Sequence, residues 1–254
     1  MENKHNYLPI AVILALGFVI AAFVMSSTWK KVSRGNVTIA VTGSASKEIK
    51  SDLGIWEGSF SNESASLTDA YAKLQSSHNK VHDYLKSKGF PEDKIKFTSI
   101  STTTLYEGKS NEPTYNSKYV PKSTSGGKII GYRLLQSVSI ESNEVDKIDQ
   151  LSREATELIN QGIEINSEAP RFLYTKLGDL KIEMIGLASQ DAKNRAEQIA
   201  KSTGDKVGEV RSSKTGVMQV NAKNDTEVSD YGMNDNSSLE KTITAVVNVS
   251  FSIE

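Results

Sequence analysis

The distribution of apolar residues separates a short N-terminal run from a long segment in which apolar and polar positions alternate. Residues 8–25, LPIAVILALGFVIAAFVM, contain no charged side chain. As a helix rising about 1.5 Å per residue, this run reaches roughly 27 Å, close to the ~30 Å of hydrocarbon that a membrane-spanning helix crosses. Tyr7 and Trp29 bracket the run, where aromatic rings favour the lipid headgroup region. We therefore expect a transmembrane signal-anchor helix over residues 8–28, after a tail of residues 1–7, with the lipid bilayer as its partner.

A cleaved secretory signal is the alternative interpretation of this run. Such signals have a shorter apolar core of about 7–15 residues and a small-residue cleavage site, whereas bulky Phe23 and Val24 follow the alanine pair here. Both interpretations export the domain that follows. The distribution of basic residues argues against export. Three basic residues lie at positions 30–34 and only Lys4 precedes the run, and the more basic flank of a membrane helix usually stays in the cytoplasm. We expect an extracytoplasmic domain nevertheless, since long domains translocate despite flanking charge and the absence of cysteine suits an oxidising compartment.

After a linker at residues 29–35, the patterning predicts one folded domain over residues 36–254. Alternation with a period of two predicts strands. These strands lie at about 36–45, 52–60, 94–107, 128–142, 163–175, 208–220 and 241–254. Apolar residues at spacings of three and four predict helices. These helices cover about 66–88, from a cap at Ser142 or Asn143 to Gly162, and 176–203. Strands and helices follow one another without strict alternation, which favours antiparallel or mixed sheets with helices packed on one face, the α+β class.

A polar stretch at about 107–128, between two predicted strands, is rich in Ser, Asn, Gly and Pro and contains Tyr115 and Tyr119. Loops longer than about 15 residues are uncommon in compact domains and are usually functional or mobile. Two interpretations stay open: a contact loop that uses the two tyrosines, or a tolerated insertion.

Trp56 and Phe60 lie on the same face of the second predicted strand, with glycines flanking Trp56. The glycines leave the Trp56 ring uncovered by its strand neighbours. The ring is therefore either a core anchor, as aromatic residues usually are, or an exposed platform for a partner. Together with Tyr115 and Tyr119, these two residues are the candidate interaction residues.

Composition excludes several classes of function. The chain has 30 basic and 31 acidic residues and a net charge of −1, so it offers no basic field for nucleic acid. It has no cysteine, which excludes disulfides, a cysteine nucleophile and cysteine-rich zinc sites. Neither a GxSxG elbow nor a phosphate-binding glycine loop occurs in the sequence. We therefore expect a protein that is not an enzyme and binds no cofactor.

His78 and His82 form the one constellation that suggests metal chemistry. They lie four apart in HNKVH and so share one helix face, but Asn79 occupies the position where a zinc protease needs its glutamate. The alternative places one histidine in the apolar stripe and the other at its edge. The acidic positions 225, 227, 230 and 235 do not have the spacing of a calcium-binding EF-hand loop, which favours a solvated acidic loop.

Several stretches resemble the SIMPL-domain family, also called DUF541. They are VTGSASKEIKSDLGIWEGSF, KIKFTSIS, GYRLLQSVSIES with SREATELINQGI, YTKLGDLKIEMIGLASQDAKNRAEQIAKSTGDKVGEV and the C-terminal SSLEKTITAVVNVSFSIE. They occur in family order and cover nearly the whole chain after about Val37. The resemblance implies an exported, membrane-anchored or signal-bearing envelope protein of bacteria, of α+β fold, which forms homo-oligomers, is loosely associated with stress tolerance and has no established reaction.

These expectations combine into one functional hypothesis. The chain is expected to be a single-pass protein of the bacterial cytoplasmic membrane, with an extracytoplasmic, self-associating scaffold or interaction domain and an unidentified protein or envelope partner. Two alternatives belong to other classes. One is a metal-dependent enzyme or sensor that uses His78 and His82, and the other is a domain that binds an envelope ligand through its aromatic side chains.

Overall fold

The computed structural model describes residues 15–26, 37–107 and 127–253. These residues form four α-helices and eleven strands. Helix α1 covers residues 15–26. The elements that follow it, in chain order, are β1 (Thr38–Lys50), β2 (Leu53–Ser64), α2 (Leu67–Ser87), β3 (Ile95–Phe97), β4 (Ser101–Tyr106), β5 (Ile129–Ser142), α3 (Val145–Glu154), β6 (Glu164–Ser167), β7 (Arg171–Leu173), α4 (Leu177–Thr203), β8 (Val207–Thr215), β9 (Gln219–Ala222), β10 (Met233–Asn234) and β11 (Glu240–Ile253).

The first sheet has five strands in the order β1-β11-β9-β10, with β8 also paired to β11. All its pairs are antiparallel except β9–β10. Helix α4 covers one face with a stripe of Leu180, Met184 and four alanines, which packs on alternate residues of β1 and β11. Because alanine side chains are short, α4 approaches the sheet closely. At Gly43, an added Cβ would lie 2.2 Å from the Ala188 carbonyl oxygen and 2.4 Å from the Ala192 nitrogen.

The second sheet has six strands in the order β3-β5-β2-β6, with β4 paired to β5 and β7 paired to β2, and all its pairs are antiparallel. The side chains of α2 and α3 pack into one core with those of β2 and β5. The predicted α+β class, with antiparallel or mixed sheets, is therefore confirmed.

The three predicted helices of the folded domain are confirmed, with two differences in detail. The chain from residue 145 to 161 is α-helical only to Glu154 and continues as a 3₁₀ helix to Gln161. Gly162 and Gly204 end their helices with φ of 78° and 85°, which glycine adopts without a steric penalty. The buried face of α2 is also rotated from the predicted apolar stripe, since Leu67 and Tyr71 are exposed whereas Ser77 and Tyr84 are buried.

Hydrogen bonds explain this rotation of α2. The Ser77 hydroxyl donates to Asn62 Oδ1 over 2.8 Å, and the Tyr84 hydroxyl donates to the Glu154 carbonyl oxygen over 2.9 Å. Polar groups that find partners can be buried without the desolvation penalty of an unpaired group. The spacing of apolar residues alone therefore predicts the wrong buried face for α2.

The predicted transmembrane helix over residues 8–28 lies only partly within the described residues. Its described part is α1, and every residue of α1 is exposed. Within the described ranges, no helix has both the length and the apolar character needed to cross a bilayer.

The contact at Gly43 makes a stability prediction. Gly43→Ala should destabilise the domain by about 2–3 kcal/mol, because the new methyl group meets the α4 backbone, which cannot move aside as a side chain can. Gly186→Ala is the matched control within α4, since nothing lies within 4 Å of its added Cβ. It should stabilise by about 0.5–1 kcal/mol through helix propensity. Urea denaturation followed by circular dichroism measures both values, and equal stability of the two variants would contradict this packing.

Candidate functional site

Trp56 and Phe60 lie inside the core under α2 and α3, with exposed fractions of 0% and 1%. The Trp56 indole Nε1 donates to Ser167 Oγ over 3.0 Å. Gly58 makes room for the ring, because a Cβ there would lie 2.8 Å from two ring carbons. The platform interpretation of these two rings is therefore wrong, since the flanking glycine accommodates the ring within the fold rather than exposing it.

The other two candidate interaction residues, Tyr115 and Tyr119, lie outside the described residues. The structure describes the base of their loop, where the Glu107 N–H donates to the Lys128 carbonyl oxygen over 2.9 Å. The contact role of this loop stays a prediction.

His78 and His82 share one face of α2, as their spacing indicates, and their rings lie parallel, with centroids 6.5 Å apart and an interplanar angle of 4°. The His78 ring packs on Phe97 at a centroid distance of 4.0 Å. His78 Nδ1 lies 3.1 Å from Gln136 Oε1, and Gln136 Nε2 donates to the Thr98 carbonyl oxygen. The amide oxygen of Gln136 therefore accepts from His78, which assigns the proton to Nδ1.

Among the described residues, His82 is the histidine of the pair that has carboxylates within 4.0 Å. Asp83 Oδ1 lies 3.6 Å from His82 Nδ1, and Glu92 Oε1 lies 3.9 Å from His82 Nε2. In the part of the chain that the structure describes, no cluster of three or more potential ligands has an arrangement suited to a metal ion. The geometry of this pair is that of side chains packed on Phe97.

A groove lies between the N-terminal half of α4 and the strands β9 and β10, and it encloses about 400 Å³. We call it the Tyr231 groove. Its lining combines aliphatic side chains with the polar Thr215 and Asn234 and with Tyr231, and Lys181 is its charged side chain. The lining residues used below are Lys181, Ile185, Val217, Met218, Tyr231 and Met233.

The loop at residues 223–232, which we call the Tyr231 loop, forms one rim of this groove. Two buried amide side chains of β9 fix the loop. Gln219 Nε2 donates to the Ser229 carbonyl oxygen over 2.8 Å, and Asn221 Nδ2 donates to the Glu227 carbonyl oxygen over 2.6 Å. At its end, the Tyr231 side chain is 96% exposed. The loop therefore holds a fully exposed aromatic side chain on a hydrogen-bonded backbone.

Sequence reasoning missed this surface, because the stretch from 221 to 238 reads as a polar, acidic linker. Val228 and Tyr231 are its large apolar side chains apart from Met233, and both are highly exposed, at 80% and 96%. The two isolated large apolar residues in a polar stretch were the sequence signal that could have indicated an exposed contact surface. The groove itself could not be read from the sequence, since its walls come from segments about forty residues apart.

A buried lysine lies beside the groove and joins the two sheets. Lys241 is 1% exposed, and its ammonium group donates to the carbonyl oxygens of Phe172 and Asp235. Burial lowers the pKa of Lys241, while the Asp235 carboxylate, 3.6 Å away, opposes that shift. A second cavity of about 210 Å³ adjoins this pair and shares Leu177 and Asn234 with the Tyr231 groove.

Asp235 is therefore not part of a solvated acidic loop, as the sequence indicated, but a paired group with a side chain only 14% exposed. Burial acts to raise the pKa of Asp235, but hydrogen bonds from Ser237 and Ser238, together with the Lys241 charge, outweigh it and lower the pKa to about 2. The carboxylate consequently stays ionised at neutral pH.

The sequence comparison assigns this α+β domain to a family. The model of the SIMPL family, described as a protein of unknown function (DUF541), matches residues 39–251. Because this range includes nearly the whole folded domain, the chain belongs to the SIMPL family, as the resemblance indicated. No curated protein matches the chain.

The lowered pKa of Asp235 makes a prediction about stability and pH. Its ionised form is favoured in the folded state, so its contribution is complete above its ordinary value of 3.8 and is lost as the pH falls toward about 2. Asp235→Asn should therefore be destabilising at pH 7, and the difference from wild type should shrink by up to about 2 kcal/mol between pH 5 and pH 2.

Urea denaturation across this pH range measures the effect. The control is Asp225→Asn, an exposed position in the Tyr231 loop, which should follow the wild-type curve within about 0.5 kcal/mol. A difference between Asp235→Asn and wild type that does not change with pH would contradict the assignment.

Proposed function

We propose that this SIMPL-family protein is a membrane-anchored, extracytoplasmic interaction module of the cell envelope. Its apolar N-terminal run holds it in the lipid bilayer, and its folded domain self-associates without catalysing a reaction. The observation that carries the proposal is the exposure of α1 on all its sides.

The side chains of α1 support the bilayer as its partner. Phe18, Phe23 and Met25 are 79%, 77% and 76% exposed, and the helix contains no charged residue. Each fully exposed side chain of this kind forgoes roughly 1.5–3 kcal/mol of burial energy in water. Insertion into hydrocarbon recovers this burial energy around the whole circumference of the helix. Packing against a protein surface would recover it for one face of the helix alone.

Three ionisable groups with displaced pKa values, Lys88, Glu154 and Asp191, have structural partners, which supports a role without catalysis. The hydrogen bond that the Lys88 ammonium group donates to Glu154 raises the pKa of Lys88 and lowers the pKa of Glu154. The Ser44 backbone N–H lowers the pKa of Asp191. These groups link secondary-structure elements, whereas catalytic groups usually converge on a cleft.

Self-association is supported by the Tyr231 loop. A fixed, fully exposed tyrosine at a groove with aliphatic side chains in its lining resembles the anchor residues of protein interfaces, where tyrosine is enriched. The link with stress tolerance rests on family resemblance alone.

The lack of cysteine allows a direct test of the topology. Asp93 is exposed in the folded domain, so a full-length Asp93→Cys variant carries one accessible thiol. A membrane-impermeant maleimide should label this thiol in intact spheroplasts as completely as it does after lysis. Ala188→Cys, at a buried position of α4, is the control and should be labelled only after denaturation. Labelling of Asp93→Cys that requires lysis would place the domain in the cytoplasm and contradict the proposal.

The anchor has its own test. Val19→Asp combined with Ile20→Asp should release the full-length chain from carbonate-washed membranes, because each aspartate costs roughly 2.5–3.5 kcal/mol at the centre of a membrane helix. The control, Val19→Leu with Ile20→Leu, should stay in the pellet. Release of the wild-type chain by carbonate would contradict membrane insertion.

A further inference from the structure

We propose that the Tyr231 loop of one copy docks into the Tyr231 groove of a second copy, and that the second copy returns the same contact around a two-fold axis. This inference rests on the self-association that we propose above and names the surface that carries it.

The shapes of the two features suit each other. Tyr231 projects from its loop with 96% of its side chain exposed, and Val228 on the same loop is 80% exposed. The groove of about 400 Å³ lies within the range of about 300–1,000 Å³ that holds small organic groups, and the aliphatic side chains in its lining suit an aromatic ring. Because the amides of Gln219 and Asn221 already fix the loop, docking costs little conformational entropy.

The charges also suit each other. Lys181 lies in the lining of the groove, and Asp230 precedes Tyr231 on the loop. Neither side chain has an ion-pair partner among the residues of its own copy that the structure describes. A second copy brings its Asp230 to Lys181 and its Lys181 to Asp230. Both pairs form at once, because an isologous interface repeats every contact.

The edges of the first sheet are poorly suited to pair with a strand of a second copy. This favours the Tyr231 groove and the Tyr231 loop as the contact surface. The Ser51 N–H, directly after β1, donates to the Leu239 carbonyl oxygen next to β11. Residues of an antiparallel strand direct their N–H and C=O groups alternately to either side, so the even-numbered residues of β1 direct theirs away from β11, to the open edge of the sheet. There, the Asp191 carboxylate accepts the outward N–H of Ser44 over 2.8 Å, and α4 lies directly over Gly43. A second copy joined to this edge would bring a second α4 against the first.

On the other side of β11, β8 has features that oppose strand addition. Its pairing with β11 is interrupted by irregularities, and Glu209, Arg211 and Lys214 place charges along it. The Tyr231 groove and the Tyr231 loop, in contrast, combine an exposed tyrosine, a groove with aliphatic side chains in its lining and opposite charges on one surface. We therefore assign a second copy of this chain as the occupant of the groove.

Charge reversal tests the interface in the full-length protein in detergent, with the dissociation constant measured by sedimentation velocity. Lys181→Glu alone and Asp230→Lys alone should each weaken association at least tenfold, because each homodimer then contains two repulsive pairs. An equimolar mixture of the two variants should associate within about threefold of wild type, because each mixed dimer contains two attractive pairs.

Tyr231→Ala should also weaken association at least tenfold. Tyr71→Ala is its control, because Tyr71 is an exposed tyrosine on α2, away from the groove, and this variant should associate like wild type. If wild type associates but the charge variants match it, or if their mixture stays weak, this interface is wrong while self-association stands. A wild-type chain that is monomeric at every concentration overturns both.

Discussion

The buried ammonium group of Lys241 fixes the relative positions of the two sheets, and the candidate surface depends on it. Lys241 is the second residue of β11 in the first sheet and donates to the carbonyl oxygen of Phe172 in β7 of the second sheet. It also holds Asp235, directly after β10. Because α4 begins shortly after β7, the same contact fixes where the N-terminal half of α4 lies relative to β10. The space between these two elements is the Tyr231 groove.

A buried lysine is costly unless its partners replace the water that it loses. Here two carbonyl oxygens and a carboxylate do so, and the carboxylate is itself held by Ser237 and Ser238. Removing the Asp235 carboxylate leaves the buried ammonium group without its counter-charge. The segment between β10 and β11 is therefore an ordered part of the fold, although its composition is that of a linker.

Local patterns in the sequence predicted the helices well, since a helix of three or more turns repeats its period several times and Gly162 and Gly204 mark two of the ends. The α+β class also followed from the order of the elements. For Trp56, a core position was one of two open interpretations, and the burial of Lys241 was not predicted. Each depends on a partner distant in sequence, Ser167 for Trp56 and Phe172 for Lys241. For the same reason, the groove was beyond prediction. Its walls meet only after α4 has packed on β1 and β11.

The proposed membrane anchor and the proposed self-association would reinforce each other. An anchor confines the copies to one plane and raises their effective concentration, so that a small interface suffices for association. A two-fold axis along the membrane normal relates two copies whose anchors enter the bilayer from the same side. The edges at β1 and β8, which are unsuited to strand addition, fit a closed dimer of this kind. Edges open to pairing would favour unlimited strand addition between copies concentrated on a membrane.

The most direct measurement of the central claim is crosslinking in native membranes between two differently tagged full-length copies. One copy carries Lys181→Cys and the other carries Asp230→Cys, in a chain with no other thiol. The account predicts that a short bismaleimide joins the two tags, and that Tyr231→Ala in both copies abolishes the product. Equal crosslinking with and without Tyr231, or none in membranes where both copies are present, would contradict it.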